Sequence, residues 1–344
     1  MIRTNDSFLR ACRGEPVPHT PVWLMRQAGR YMAEYRELRA RHSILEMIKD
    51  PEKACEVTLQ PVRAFPVDAA IIFADILTLL EPMGLQLEFI SGKGPVFHNP
   101  IQDVSDVQAL RAVDAERDLG FTLDAIRLSR ERLNGAIPLI GFSGAPYTLA
   151  CYAIQGGGSK DFDDVRAWMY RNPAAWAELM EKLTDAVTDY LLAQIRAGAQ
   201  AVQLFDSWAG SLSAADYRRF AAPWTRRIFD TLAREAPGVP RIHFSANGGH
   251  LLDEVATMPV SVLGLDWRVD AAAAIQRLGP DRCYQGNLDP ARLLASDEAM
   301  LEGVAAVKEA FSAAKGHIFN LGHGVVKTTP PERVRLLIEA VHGA

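Results

Sequence analysis

Two arginines four residues apart, Arg26 and Arg30, follow directly on the apolar run Val22–Met25. A guanidinium grips a carboxylate through a two-pronged fork, so this pair, on one face of a helix, makes a carboxylate clamp. From Arg26 to Arg41 five arginines (Arg26, Arg30, Arg36, Arg39, Arg41) stand against two glutamates (Glu34, Glu37), a local charge of +3 in a chain whose net charge is −5. Net acidity excludes a general attraction for nucleic acid or an anionic membrane, so an anionic ligand must be met by such a local cluster. Arg36, Arg39 and Arg41 read as a solvated helix face, and Arg26 and Arg30 as ligand-facing.

Asp75 is the second group with a chemical question attached. It sits in the run Ile71-Ile72-Phe73-Ala74-Asp75-Ile76-Leu77, where a carboxylate loses solvation and must find donors or a cation. Taken alone, it reads first as the N-cap of a helix starting at Ile76, a common task for Asp. Further polar residues close other apolar runs: Asp206-Ser207-Trp208, Ser245, Asp266-Trp267-Arg268, Asn287-Leu288-Asp289 and Gly322-His323-Gly324. Glycine-flanked His323 is the most exposed candidate for ligand contact.

Metal and thiol chemistry are expected to be absent. The eight histidines are scattered without an HExxH-type pairing, so a zinc site would need long-range convergence. Cys12, Cys55, Cys151 and Cys283 form no CxxC pair, which argues against a disulfide framework. The first fourteen residues mix Arg3, Asp6, Arg10 and Arg13 with few apolar side chains and lack the core of a signal peptide. The most apolar stretch, Ala69 to Leu80, is too short to span a bilayer and is interrupted by Asp75. A cytoplasmic enzyme is expected.

These residues need a scaffold that gathers strand ends. Eight short apolar runs read as strands: Val22–Met25, Ala69–Phe73, Pro138–Phe142, Ala201–Phe205, Arg241–Phe244, Val262–Leu265, Cys283–Gly286 and His317–Leu321. Their starts are about 42 residues apart on average, compatible with a (β/α)8 TIM barrel carrying insertions. Helical stretches fill the gaps at 51–64, 123–133, 173–197, 214–236, 298–314 and 331–342, several with proline in the first turn. Leu85 to Pro100 alternates around Ser91-Gly92-Lys93-Gly94 and predicts a β-hairpin excursion after the second strand. The Gly156–Lys160 run lacks phosphate-loop spacing and reads as a loop. With no linker or repeat, the expectation is one barrel domain over 1–344, the alternative being a two-domain doubly wound protein.

Several motifs carry a resemblance that spacing does not supply. Pro21-Val22-Trp23-Leu24-Met25-Arg26-Gln27-Ala28-Gly29-Arg30-Tyr31, followed by Glu34-Tyr35-Arg36, resembles the N-terminal signature of the uroporphyrinogen decarboxylase family. Similar to that family, in order along the chain, are Phe73-Ala74-Asp75-Ile76-Leu77, Gly141-Phe142-Ser143-Gly144-Ala145-Pro146-Tyr147-Thr148-Leu149 with Tyr152, Gln285-Gly286-Asn287-Leu288-Asp289-Pro290, and Asn320-Leu321-Gly322-His323-Gly324. Ala33 stands where many relatives have proline, and Asp206-Ser207-Trp208 replaces a Ser-His form. The resemblance implies a cofactor-free, metal-free barrel enzyme, a homodimer, that removes the carboxyls of four acetate side chains from uroporphyrinogen to give coproporphyrinogen. It places substrate binding on Arg26, Gln27, Ala28, Gly29, Arg30, Asp75, Tyr152, Ser207 and His323, and catalysis on Asp75, with Arg26 and Tyr152 beside it. The proton donor stays open among Arg26, Tyr152, His323 and water. Two rivals stand: a tetrapyrrole carrier without turnover, and a zinc-dependent methyltransferase of a related barrel family. The second is weakened because His243-Phe244-Ser245 has serine where a His-x-Cys zinc pair needs its thiolate.

Overall fold

In a computed structural model that describes residues 5–343, the strands in chain order are β1 (Ala70–Ile71), β2 (Leu87–Ile90), β3 (Gly94–Phe97), β4 (Leu139–Gly144), β5 (Ala201–Phe205), β6 (Arg241–Phe244), β7 (Val262–Gly264), β8 (Cys283–Leu288) and β9 (Gly316–Leu321). Seven of them form one sheet in the order β1-β4-β5-β6-β7-β8-β9, with every neighbouring pair parallel. Helices cross over between consecutive staves, as parallel pairing requires. Residues 1–4, with the first part of the N-terminal reading, and residue 344 lie outside the described residues.

The first expected strand, Val22–Met25, is not a strand but a single parallel bridge from Val22 to Phe319. Side chains take the donors a ladder would use. The Val22 amide donates to Asp68 Oδ2 at 2.7 Å, that of Leu24 to Gln27 Oε1 at 3.1 Å, and that of Met25 to Asn320 Oδ1 at 3.1 Å. Its carbonyls still serve both neighbours: Phe319 N donates to Pro21 O and Asp68 N to Val22 O, each at 2.8 Å. The segment therefore stands between β9 and β1 as the eighth stave and closes the barrel.

Strand alternation divides the apolar residues into two cores. Trp23, Met25, Ile140, Ala201, Ile242, Phe244, Val262, Cys283 and Ile318 fill the barrel, capped by Phe8, Ala11 and Cys12 of the helix Ser7–Cys12. Inside, Trp23 Nε1 donates to Gln285 Oε1 at 2.9 Å and Gln285 Nε2 to Gln203 Oε1 at 3.0 Å, a polar chain across the interior that ends at Gln203, whose own Nε2 has no partner among the described residues. The larger core lies between the staves and the outer helices.

Three helices match the expected bounds, Pro51–Ala64, Pro173–Ala197 and Pro331–His342, each opened by a proline that has no amide to lose there. The expected helix 214–236 is instead two, Ala214–Phe220 and Ala222–Glu235, because Pro223 cannot donate back across Ala221. The hairpin is present as antiparallel β2 and β3, and it docks through Phe97 N to Gly156 O at 2.8 Å. Gly156, in the expected loop, ends the helix Pro146–Gln155 in the left-handed region that glycine adopts freely.

Candidate active site

The C-terminal ends of the staves form the rim where this architecture carries its chemistry. Arg26 leaves the first stave with φ 60°, and residues 26–32 form turns, with helix beginning only at Ala33. The helical face expected to align Arg26 and Arg30 is therefore absent, and a turn brings them to the rim instead. Both are exposed, and among the described residues neither guanidinium has an ion-pair partner. Arg36 and Arg39 spend their donors on Arg30 O, Tyr31 O and His42 O, as expected of residues that merely finish the segment.

Gln27, expected among the binding residues, is turned inward and 1% exposed. Its Oε1 accepts from Leu24 N, its Nε2 donates to Ala69 O at 3.2 Å, and its own carbonyl accepts from the Tyr31 hydroxyl at 2.6 Å. It shapes the turn rather than presenting a side chain to a ligand. Ala28 and Gly29 are partly exposed on that turn, and a Cβ at Gly29 would meet Arg26 O at 3.2 Å.

The structure shows the N-cap reading of Asp75 directly. It is the N-cap of the short 3-10 helix Ile76–Leu80, its Oδ1 accepting from Leu77 N at 2.9 Å. It also stands four residues beyond the end of β1, on the C-terminal side of that strand, and is still partly exposed. Loss of solvation raises its pKa from the ordinary carboxylate range to about 6, against the Leu77 hydrogen bond and the Arg26 charge. Among the described residues no cation forms an ion pair with it.

Of the other expected residues, Tyr152 feels the charges of both Asp75 and Arg26, and His323 that of Arg26. Tyr152, half-buried on the helix Pro146–Gln155, packs edge-on against Trp208 and Phe162, each with ring centroids 6.1 Å away. Burial raises its phenol pKa, and both Asp75 and Arg26 act on it. Ser207 is partly exposed in the turn after β5, beside Trp208. That turn is fixed by Thr148, which donates to Asp206 Oδ1 at 3.0 Å and accepts from Trp208 N at 3.2 Å. His323 is exposed after β9, and desolvation by the wall, followed by the Arg26 charge, lowers its pKa, so it meets a ligand as a neutral imidazole. Arg26 is thus the charge common to Asp75, Tyr152 and His323.

Two motif asparagines are spent on holding the rim. Asn287 Nδ2 donates to Asp266 O and Val269 O at 3.0 and 2.8 Å, and Asn320 takes the Met25 amide. Sequence reasoning placed Arg268 at a strand end and gave it no task. In the structure its guanidinium stacks 4.1 Å over the Trp267 ring and pairs with buried Asp266 at 3.1 Å. It borders a cavity of about 520 Å³ with Asn247, His250 and Arg277. After β7 it stands across the barrel from Asp75, and an arginine beside a tryptophan at a rim position is the signal that marks such a cation.

Gly324 meets the Arg26 side chain so closely that a Cβ would lie 2.4 Å from its Cδ. Gly324→Ala is therefore expected to displace Arg26 while leaving the fold intact. Steady-state kinetics should show KM raised several-fold, with the melting temperature within about 2 °C of wild type.

A parallel barrel with Arg26, Arg30 and Asp75 at its C-terminal mouth defines the class of the protein, a (β/α)8 barrel with a charged site on the rim where such folds carry their chemistry. A profile of the uroporphyrinogen decarboxylase family matches residues 3–344. Proteins named uroporphyrinogen decarboxylase from Carboxydothermus hydrogenoformans and Sorangium cellulosum are each 52% identical over 338 residues, 98% of this chain and 96% of theirs. The chain belongs to the uroporphyrinogen decarboxylase family. In fold it is similar to a methyltransferase from Methanosarcina mazei, with TM-score 0.80 and 19% identity over 99% of this chain and 98% of that one. It is also similar to a B12-independent methionine synthase from Shewanella sp. W3-18-1, with TM-score 0.55 and 11% identity over 86% and 87% of the two chains.

Proposed function

We infer that this protein is a decarboxylase that converts the four acetate side chains of uroporphyrinogen III to methyl groups, releasing coproporphyrinogen III and carbon dioxide in porphyrin biosynthesis. The observation that carries the reading is Asp75: a desolvated carboxylate at the strand-end rim without an ion-pair partner, with Arg26 near enough to act on it. The substrate is a flexible polycarboxylate whose pyrrole N–H groups turn inward, so it wants cations around its edge and an anion beneath its centre. Arg26 and Arg30 supply the first and Asp75 the second, with Tyr152, Ser207 and His323 completing the wall.

A pyrrole serves as its own electron sink. A proton added to a ring carbon beside the acetate-bearing one makes an iminium-like cation. The bond to the carboxyl carbon then breaks, its electron pair neutralises the ring, and carbon dioxide leaves. The exocyclic methylene takes up a proton to become methyl, and the ring proton is returned, so one proton is consumed for each carboxylate lost. Asp75 as an anion stabilises the ring cation more than the neutral pyrrole, which is the condition for lowering the barrier. His323, neutral, and Tyr152, with its raised pKa, fit hydrogen bonding to carboxylates better than acid catalysis at neutral pH.

Against the methyltransferase reading, His243 is 1% exposed, packed against Phe229 of the helix Ala222–Glu235 with ring centroids 6.1 Å apart and with Nε2 3.9 Å from buried Asp206. Its motif partner is Ser245. Exhaustive chelation is accordingly expected to leave turnover unchanged, and a loss of activity restored by metal would reject the metal-free mechanism. Incubation with uroporphyrinogen should yield the hepta-, hexa-, penta- and tetracarboxylate series by chromatography. Tight binding without carboxyl loss would point to a carrier. The family resemblance also supports one catalytic domain over the chain and a cytoplasmic homodimer, which a sizing measurement of about twice 37.8 kDa would bear on. No helix of the described residues is long and apolar enough to cross a membrane.

A further inference from the structure

The opposite face of the barrel brings together three residues that the sequence scatters. Asp68 precedes β1, His19 precedes the first stave, and His342 ends the last helix, Pro331–His342. Both imidazoles aim Nε2 at the one carboxylate, His19 at Oδ1 from 2.9 Å and His342 at Oδ2 from 2.8 Å. Their rings are 4.2 Å apart between centroids. Asp68 is 1% exposed, whereas the histidine side chains keep 26% and 18% of their surface, so the cluster is anchored in the wall and open at its outer edge.

We propose that His19, Asp68 and His342 form a structural binding site for a divalent transition metal, Zn2+ by its chemistry, that staples the two ends of the chain to the base of the barrel. Two imidazole nitrogens and one carboxylate oxygen are a ligand set zinc accepts, with water in the fourth position. Their ligand atoms all lie within 4.8 Å of one another. Tetrahedral zinc with bonds of about 2.0–2.1 Å spaces its ligands about 3.3 Å apart, so ligand atoms within 4.8 Å of one another reach it by small turns of the two imidazoles toward one carboxylate oxygen.

The decisive feature is how Asp68 is held without them. Asn5 Nδ2 donates to Oδ1 at 2.6 Å and the Val22 amide to Oδ2 at 2.7 Å. Each oxygen therefore keeps a donor when the imidazoles turn their Nε2 lone pairs to a metal, and these donors orient the carboxylate as partners of a metal ligand do. The proton formerly on each Nε2 moves to Nδ1, on the ring's other side. Asp68 is the carboxylate of the set and brings the negative charge a dication needs.

The test uses the full-length protein, stripped with chelator, and titrates it with Co2+ and then Zn2+. One equivalent of Co2+ is expected to give the visible absorption of a four-coordinate ion and to be displaced by Zn2+. Zn2+ at about a hundredfold its Kd should raise the melting temperature by roughly 3–5 °C, with turnover on uroporphyrinogen unchanged because the site lies at the far end of the barrel. His19→Ala and His342→Ala each remove a hydrogen bond and lower the starting melting temperature, so the readout is the metal-dependent increment. It should be lost in both, together with the Co2+ spectrum. A wild-type protein with neither spectrum nor increment overturns the proposal, as does an increment that survives undiminished in the His19→Ala/His342→Ala double variant.

Discussion

Asp75→Asn is expected to cut turnover by roughly a few hundredfold, the loss of about 3–4 kcal/mol of electrostatic stabilisation, and at the same time to raise the melting temperature. The two effects have one cause. Asn caps the helix Ile76–Leu80 as well as Asp does, so the cap is kept and only the charge is removed. Asp75's pKa, about 6 in the folded protein, lies above the ordinary value of 3.8. A carboxyl raised in this way contributes stability that is present below pH 4 and lost as pH rises through 6, leaving an ionised group that opposes folding at pH 7. Removing it should return about 1–3 kcal/mol, seen as a few degrees by calorimetry. A residue that is only a cap predicts near-normal turnover and no gain in stability. Asp75→Glu keeps the charge but moves it about one methylene toward the substrate, and should also be impaired through misplacement.

Arg30→Ala is the second large effect. Its guanidinium has no ion-pair partner among the described residues, so the substitution removes a ligand contact without stranding a protein group. A charge-assisted hydrogen bond is worth roughly 1.5–3 kcal/mol, which predicts a ten- to hundredfold weaker affinity for uroporphyrinogen. The melting temperature should stay close to that of wild type. Binding of the tetracarboxylate product should fall less than that of the octacarboxylate substrate if Arg30 holds an acetate. Unchanged affinity in a direct binding assay would remove the clamp, and Arg30→Lys should recover part of the loss, as a point charge lacks the fork.

The staves and the proline-led helices were legible because their signals are local: β-branched runs ended by polar residues, and Pro51, Pro173 and Pro331 fixing first turns. Hairpin β2–β3 announced itself in its alternation and glycine turn. The first stave was legible in position, as Val22–Met25, but its missing ladder was not, because its donors go to Asp68, Gln27 and Asn320, the last 295 positions from Met25. Arg26 was legible as a rim cation, whereas its left-handed backbone and the inward turn of Gln27 depend on contacts no periodicity encodes. Asp75 was legible as two alternatives, and of these the cap is visible in the structure. The His19–Asp68–His342 cluster was hidden for the reason stated of any metal set here: it forms only by long-range convergence, spanning almost the whole chain.

The central claim, that Asp75 works as an anion, is tested most directly by the pH dependence of kcat/KM for wild-type protein on uroporphyrinogen, which reports ionisations of the free enzyme. The expected profile is level above pH 7 and falls on the acid side with an apparent pKa of about 6, approaching tenfold per pH unit below it. In Asp75→Asn the residual activity should lose that limb. An acid limb at pH 6 retained in Asp75→Asn, or a wild-type rate that rises as pH falls through 6, would contradict the account.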